Sequence, residues 1–122
     1  MKINIVKYFL TVFIFFAFIL FAIASSSDKK EKKLSLRQDQ ISYLEDLERQ
    51  GMISIEANLN KTYINPLLWN QMDAKLKEDF SASLAIYCGN KKGTNLYWVE
   101  IYDKQSGKKL AKYSQSWGFD VY

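Results

Sequence analysis

The chain has 122 residues, a formal charge of +4, one cysteine and no histidine. That length suits one small domain; the single Cys88 rules out an intramolecular disulfide, and the absence of imidazole removes the commonest general base and metal ligand. The positive balance is mild and much of it sits in one lysine cluster, which argues against nucleic acid as a partner.

The first element in chain order is Tyr8 to Ala24, an uncharged apolar run whose one polar residue is Thr11. As a helix it would reach about 25 Å, against about 30 Å for a bilayer core. That is long for the apolar region of a secretory signal and short for an anchor. Lys2 and Lys7 form a basic leader, and Ala22-Ile23-Ala24 before Ser25 is a small-x-small cleavage site. Residues 1–24 are therefore read as a signal peptide or an N-terminal membrane anchor through residues 8–24. Lys29, Lys30, Lys32 and Lys33 after the run would favour a cytoplasmic domain if the anchor were retained. Cleavage after Ala24 would leave 98 of the 122 residues and, with Lys2 and Lys7 gone, a formal charge of +2. Residues 25–34 read as a polar, lysine-rich tether, and 35–122 as a single domain.

Within that domain, Ser35 to Gln50 reads as a helix with Ser35 and Gln38 at capping-box spacing, an apolar stripe through Ile41, Leu44 and Leu47, and Gly51 as its terminator. Met52 to Leu59 alternates Ile53, Ile55, Ala57 and Leu59 with polar residues, the pattern of a half-buried strand. Asn60-Lys61 then turns the chain into a short partner strand, Thr62 to Ile64. Asn60-Lys61-Thr62 also fits a glycosylation sequon. Asn65-Pro66 opens a second helical region, with a break near Met72 and a restart capped by Asp73. Its stripe runs Trp69, Met72, Leu76, Phe80, Leu84, Tyr87, and Gly89-Asn90 reads as its end. Leu96 to Asp103 and Lys108 to Ser114 form a hairpin around Lys104-Gln105-Ser106-Gly107, and Trp117 to Tyr122 makes a terminal strand.

This order predicts an α+β domain: an antiparallel sheet of four or five strands, one helix packed on one face, and an additional N-terminal helix. Asn65-Pro66, Trp69, Tyr87-Cys88, Asp103-x-x-Ser106-Gly107-Lys108, Leu110-Ala111 and Trp117-Gly118-Phe119 together resemble small exported bacterial domains of no assigned activity, over about Asn58 to Tyr122. The resemblance implies an envelope location and supplies no catalytic residues.

Chemistry-bearing motifs are scarce. Ser106-Gly107-Lys108-Lys109 fails as a phosphate loop, because Tyr102 stands where the first glycine is required and Lys109 where Ser or Thr is required. Cys88 has no histidine to activate it and reads as a small core residue. No carboxylate pair stands out, and no metal-ligand cluster exists in the sequence. Trp69 and Trp117 read as core anchors. On Leu96 to Asp103, Tyr97, Val99 and Ile101 face the helix, leaving Trp98, Glu100 and Tyr102 on the other side. These three are covered by the first helix, by neighbouring lysine stems or by the chain terminus, or else they form a contact surface. The expectation is a non-catalytic binding protein of the bacterial envelope without cofactor or metal, free or membrane-tethered. Its partner is an envelope protein, a second copy or a glycan. A cell-wall-directed hydrolase or enzyme inhibitor is the alternative, and a membrane-surface protein using its lysine cluster is a third.

Overall fold

A computed structural model describes residues 33–122. The signal or anchor segment and most of the tether lie outside the described residues; within them, no helix is long and apolar enough to cross a membrane. The elements are α1 (Gln38–Arg49), β1 (Ile53–Glu56), a 3-10 turn (Ala57–Leu59), β2 (Lys61–Ile64), α2 (Pro66–Asn70), α3 (Ala74–Lys92), β3 (Trp98–Asp103), β4 (Lys109–Ser114) and β5 (Gly118–Val121). The five strands form one sheet in sequence order, and the α+β class is as the sequence predicts.

Helix boundaries follow local chemistry. α1 begins two residues later than the Ser35–Gln38 spacing suggests: Gln40 Oε1 accepts the Arg37 N–H at 2.8 Å, closing the reciprocal half of a capping box one turn along. It ends where Gly51 adopts φ +77° and the Met52 N–H returns to the Leu47 carbonyl, as the sequence predicts. Asn65 accepts the Leu67 N–H ahead of Pro66, and Asp73 accepts the Leu76 N–H to restart the helix as α3. α3 does not stop at Gly89-Asn90. It runs on to Lys92, and Gly93 at φ +72° is the terminator.

Three of the four strand interfaces are antiparallel, but β2 and β3 run parallel. α3 explains this. Its nineteen residues span about 28 Å, enough to carry the chain from the end of β2 back to the level where β2 began. The next strand must then run in the same direction as β2.

α3 contacts β3 and β4 and also the 3-10 turn. From Asp79 to Gly89 every residue is buried. A helix with apolar residues on one stripe alone would leave a wet face; here the small residues Ser81, Ala82, Ser83 and Ala85 are buried as well. Leu44 and Leu47 of α1 share one core with Phe80 and Leu84 of α3 and with Ile64, Val99 and Ile101 of the sheet. Cys88 lies wholly within it, and burial pushes its thiol pKa up to about 11 against the opposing pull of Lys92. That is the environment of an inert packing thiol.

The hairpin joining β1 to β2 is held by Asn60, in the left-handed conformation at φ 54° and 1 % exposed. Its side-chain amide donates to the Trp98 carbonyl at 2.8 Å, its Oδ1 accepts from Lys92 Nζ, and its backbone carbonyl accepts the Glu100 N–H at 2.8 Å. The sequon nitrogen is thus engaged inside the fold and inaccessible to a glycosyl donor once the domain has folded. Asn60→Ala is expected to cost about 2 kcal/mol in urea unfolding, through the unmet Trp98 carbonyl and the strain of alanine at positive φ. Asn60→Gly, which relieves the strain but not the lost bonds, should recover part of that loss.

Candidate functional site

The buried residues of both long helices share one core with the inward residues of the sheet, Thr62 and Ile64, Val99 and Ile101, and Ala111 and Tyr113 being buried while most residues between them are not. The alternation in β3 is as the sequence predicts: Val99 and Ile101 are fully buried, while Trp98, Glu100 and Tyr102 point to the open face. Strand register sets their neighbours. Lys61 and Tyr63 of β2 lie beside Glu100 and Tyr102, and Lys112 and Ser114 of β4 lie beside Glu100 and Trp98. A bulge between Ile101 and Tyr102 shifts the β3–β4 register so that Lys109, instead of Leu110, sits opposite Tyr102.

The bulge builds a small charged network. Glu100 accepts from the Tyr102 hydroxyl at 2.9 Å and from Lys109 Nζ at 3.1 Å. Partial burial works against the Glu100 charge, but these two bonds and the nearby Lys61 outweigh it and hold its carboxyl below the usual range. The bond to Glu100 likewise holds the Tyr102 hydroxyl and the Lys109 ammonium in their protonated forms, raising both pKa values. The Tyr102 ring stacks on Tyr63 with centroids 5.4 Å apart, and the Lys61 ammonium lies 5.3 Å from its centroid. Lys109 Nζ also lies 5.1 Å from the ring centroid of Tyr122, which is itself 61 % exposed.

Trp98 belongs to a different neighbourhood. It flanks a groove of about 440 Å³ at the end of β3 and β4, with Leu96, Glu100, Lys112, Gln115 and Trp117 among the lining residues. The predicted set Trp98, Glu100 and Tyr102 is therefore divided. Trp98 and Glu100 line the groove, while Tyr102 does not line it and orients Glu100 from the side.

Trp117 is the residue that sequence reasoning placed wrongly. It was expected as a core anchor; it is 79 % exposed, whereas Trp69 is 3 % exposed and does lie in the core. Trp117 sits in the turn between β4 and β5, where Gly118 at φ +102° ends the reversal, so the side chain leaves the sheet before the alternating pattern of β5 begins. The turn-forming run Ser114-Gln115-Ser116 directly ahead of it was the available signal. Lys112 Nζ stands 4.9 Å from the Trp117 ring centroid, and the Gln115 N–H donates to the Tyr97 carbonyl at 3.0 Å, tying this turn to the base of β3.

Among the described residues, no group of three or more His, Cys, Asp or Glu side chains is placed to hold a metal ion. No protein-family model matches the chain, and comparison with characterised proteins and with solved structures gives no match to either.

Proposed function

We propose that this is a small exported protein of the bacterial envelope, free or tethered through residues 8–24, that acts by non-catalytic binding through the open face of its sheet. One observation carries the reading: two of the three tryptophans, Trp98 and Trp117, are accessible at 37 % and 79 % around a single groove, whereas Trp69 is 3 % exposed in the core. Exposed indoles clustered around a concavity supply contact area at low entropic cost, and a folded domain has little reason to leave them together in water unless something covers them. The fixed Glu100–Lys109–Tyr102 network beside the groove adds a polar rim that keeps its shape without a ligand.

The test is retention of the purified full-length protein by envelope fragments from its host. Trp98→Ala with Trp117→Ala is expected to reduce retention at least about tenfold in a variant that still unfolds cooperatively, and Trp117→Ala alone, at a 79 % exposed position, to weaken it with thermal unfolding nearly unchanged. Gln105→Ala, in the exposed turn at the opposite end of β3, should behave as wild type. Retention that survives the loss of both tryptophans would remove the groove as the binding site.

A further inference from the structure

We infer that the groove between Trp98 and Trp117 is a carbohydrate subsite, taking a neutral pyranose unit of an oligosaccharide or polysaccharide; the inference rests on the binding function proposed above. The lining combines two features. Its apolar part is mainly aromatic, with Trp98 37 % and Trp117 79 % accessible and Leu96 beside them. Its polar part is made of short amide and hydroxyl groups, Asn95, Ser114, Gln115 and Ser116, with one carboxylate, Glu100, and one ammonium, Lys112. The formal charge of that lining is zero, so it offers no electrostatic selection for an acidic or basic ligand.

A pyranose ring matches both features at once. Its axial C–H bonds present a weakly positive, flat apolar face to the negative face of an indole. Its equatorial hydroxyls lie in the ring plane, where side-chain amides, hydroxyls and a carboxylate can pair with them and avoid leaving buried polar groups unmet. The position of Lys112 supports this geometry. Its ammonium is 4.9 Å from the Trp117 centroid and both side chains line the groove, so the cation–π contact restrains the exposed indole at the groove wall. Glu100 is likewise oriented in advance by Tyr102 and Lys109, with lone pairs remaining for a sugar hydroxyl. An extended peptide is the poorer fit. Strand addition uses unpaired backbone at a sheet edge, but this groove is floored by β3 and β4, whose edges are paired on both sides.

The experiment uses the full-length protein in a zwitterionic, sugar-free detergent. Indole fluorescence is followed while cellohexaose, chitohexaose, maltohexaose and solubilised wall glycan strands are added separately, up to about 10 mM, a range suited to weak single-site binding. Saturable quenching by at least one of them is expected, weakened roughly tenfold or more by Trp117→Ala, whose exposed turn position spares the fold, and about threefold by Lys112→Met, which keeps the stem and removes the cation. In parallel, envelope fragments are stripped of glycan, with periodate for vicinal diols and with lysozyme or chitinase for 1,4-linked N-acetylhexosamine strands, which carry no internal vicinal diol, or digested with protease. Retention abolished by glycan removal and spared by protease supports the inference. Retention that depends on both tryptophans but is spared by glycan removal and abolished by protease overturns the carbohydrate assignment and leaves a protein-binding face. Retention independent of the tryptophans overturns both readings.

Discussion

Gly89→Ala is expected to destabilise the domain by about 2 kcal/mol, reversing the usual effect of that substitution. In an unencumbered helix interior alanine is favoured over glycine by about 1 kcal/mol. At Gly89, however, an added Cβ would lie 2.6 Å from Tyr97 Cδ1 and 2.7 Å from Cε1. The ring has no easy retreat. Its hydroxyl accepts the Leu34 N–H at 2.8 Å and donates to the Leu34 carbonyl at 3.1 Å, and the side chain is 3 % exposed. The helix has little room to yield, because the turn that precedes Gly89, Ala85 to Cys88, is buried throughout. Overpacking of this kind costs about 1–3 kcal/mol. A double-mutant cycle checks the cause: Tyr97→Ala should be costly alone, but combining it with Gly89→Ala should cost clearly less than the sum. Additive effects would show that the contact is not the reason glycine occupies this position. The disturbance should also reach the groove, because the Tyr97 carbonyl holds the Gln115 N–H of the Trp117 turn. Indole accessibility to a quencher in Gly89→Ala would report it.

Gly89 also shows where sequence reading stops. As a helix breaker it would mark the end of α3; its role is close packing, and the terminator is Gly93, four residues on. A glycine has the same signature in both roles, and only the neighbour across the gap tells them apart. What the sequence made legible was local and periodic: the inward and outward sets of β3, the Asn65-Pro66 start, the Asp73 restart and the Lys104–Gly107 turn, in which Asp103 Oδ1 accepts the Gln105 and Ser106 N–H groups. The β2–β3 pairing was hidden because alternation fixes a strand's faces but says nothing about its partner or its direction. The candidate site was half legible for the same reason. Trp98 and Glu100 followed from period two, whereas Trp117 precedes any strand of its own, and hydrophobicity alone assigned it to the core. Buried Ser81 and Ser83 fall outside the apolar stripe because the cover on that side of α3 comes from elements remote in sequence.

Asp79 is the most consequential of these buried polar residues. It is 2 % exposed in the second turn of α3, with one carboxylate oxygen unpartnered among the described residues and the other 3.9 Å from the solvent-exposed Lys75 ammonium. Burial pushes its pKa from 3.8 up to about 6; Lys75 opposes the rise, and Glu78 and Asp73 add to it. Tyr113 of β4 feels the same environment, its pKa driven to about 12 by burial and by the nearby Glu78 and Asp79 carboxylates. The sign of the linkage follows directly. Between the unfolded and folded pKa values, the native protein keeps a proton that the unfolded chain has released. Stability from this residue is therefore fully present below about pH 4 and is lost as pH rises through about 6. Asp79→Asn removes the titration and should raise unfolding stability by about 2 kcal/mol near pH 8, with the gain shrinking toward zero near pH 4. Urea unfolding of both proteins across that range measures it. An effect equal at both ends, or a loss near pH 8, would mean that the buried carboxylate is compensated in the native state. A gain confined to high pH would identify Asp79 as a charge that the core of this domain carries at a cost.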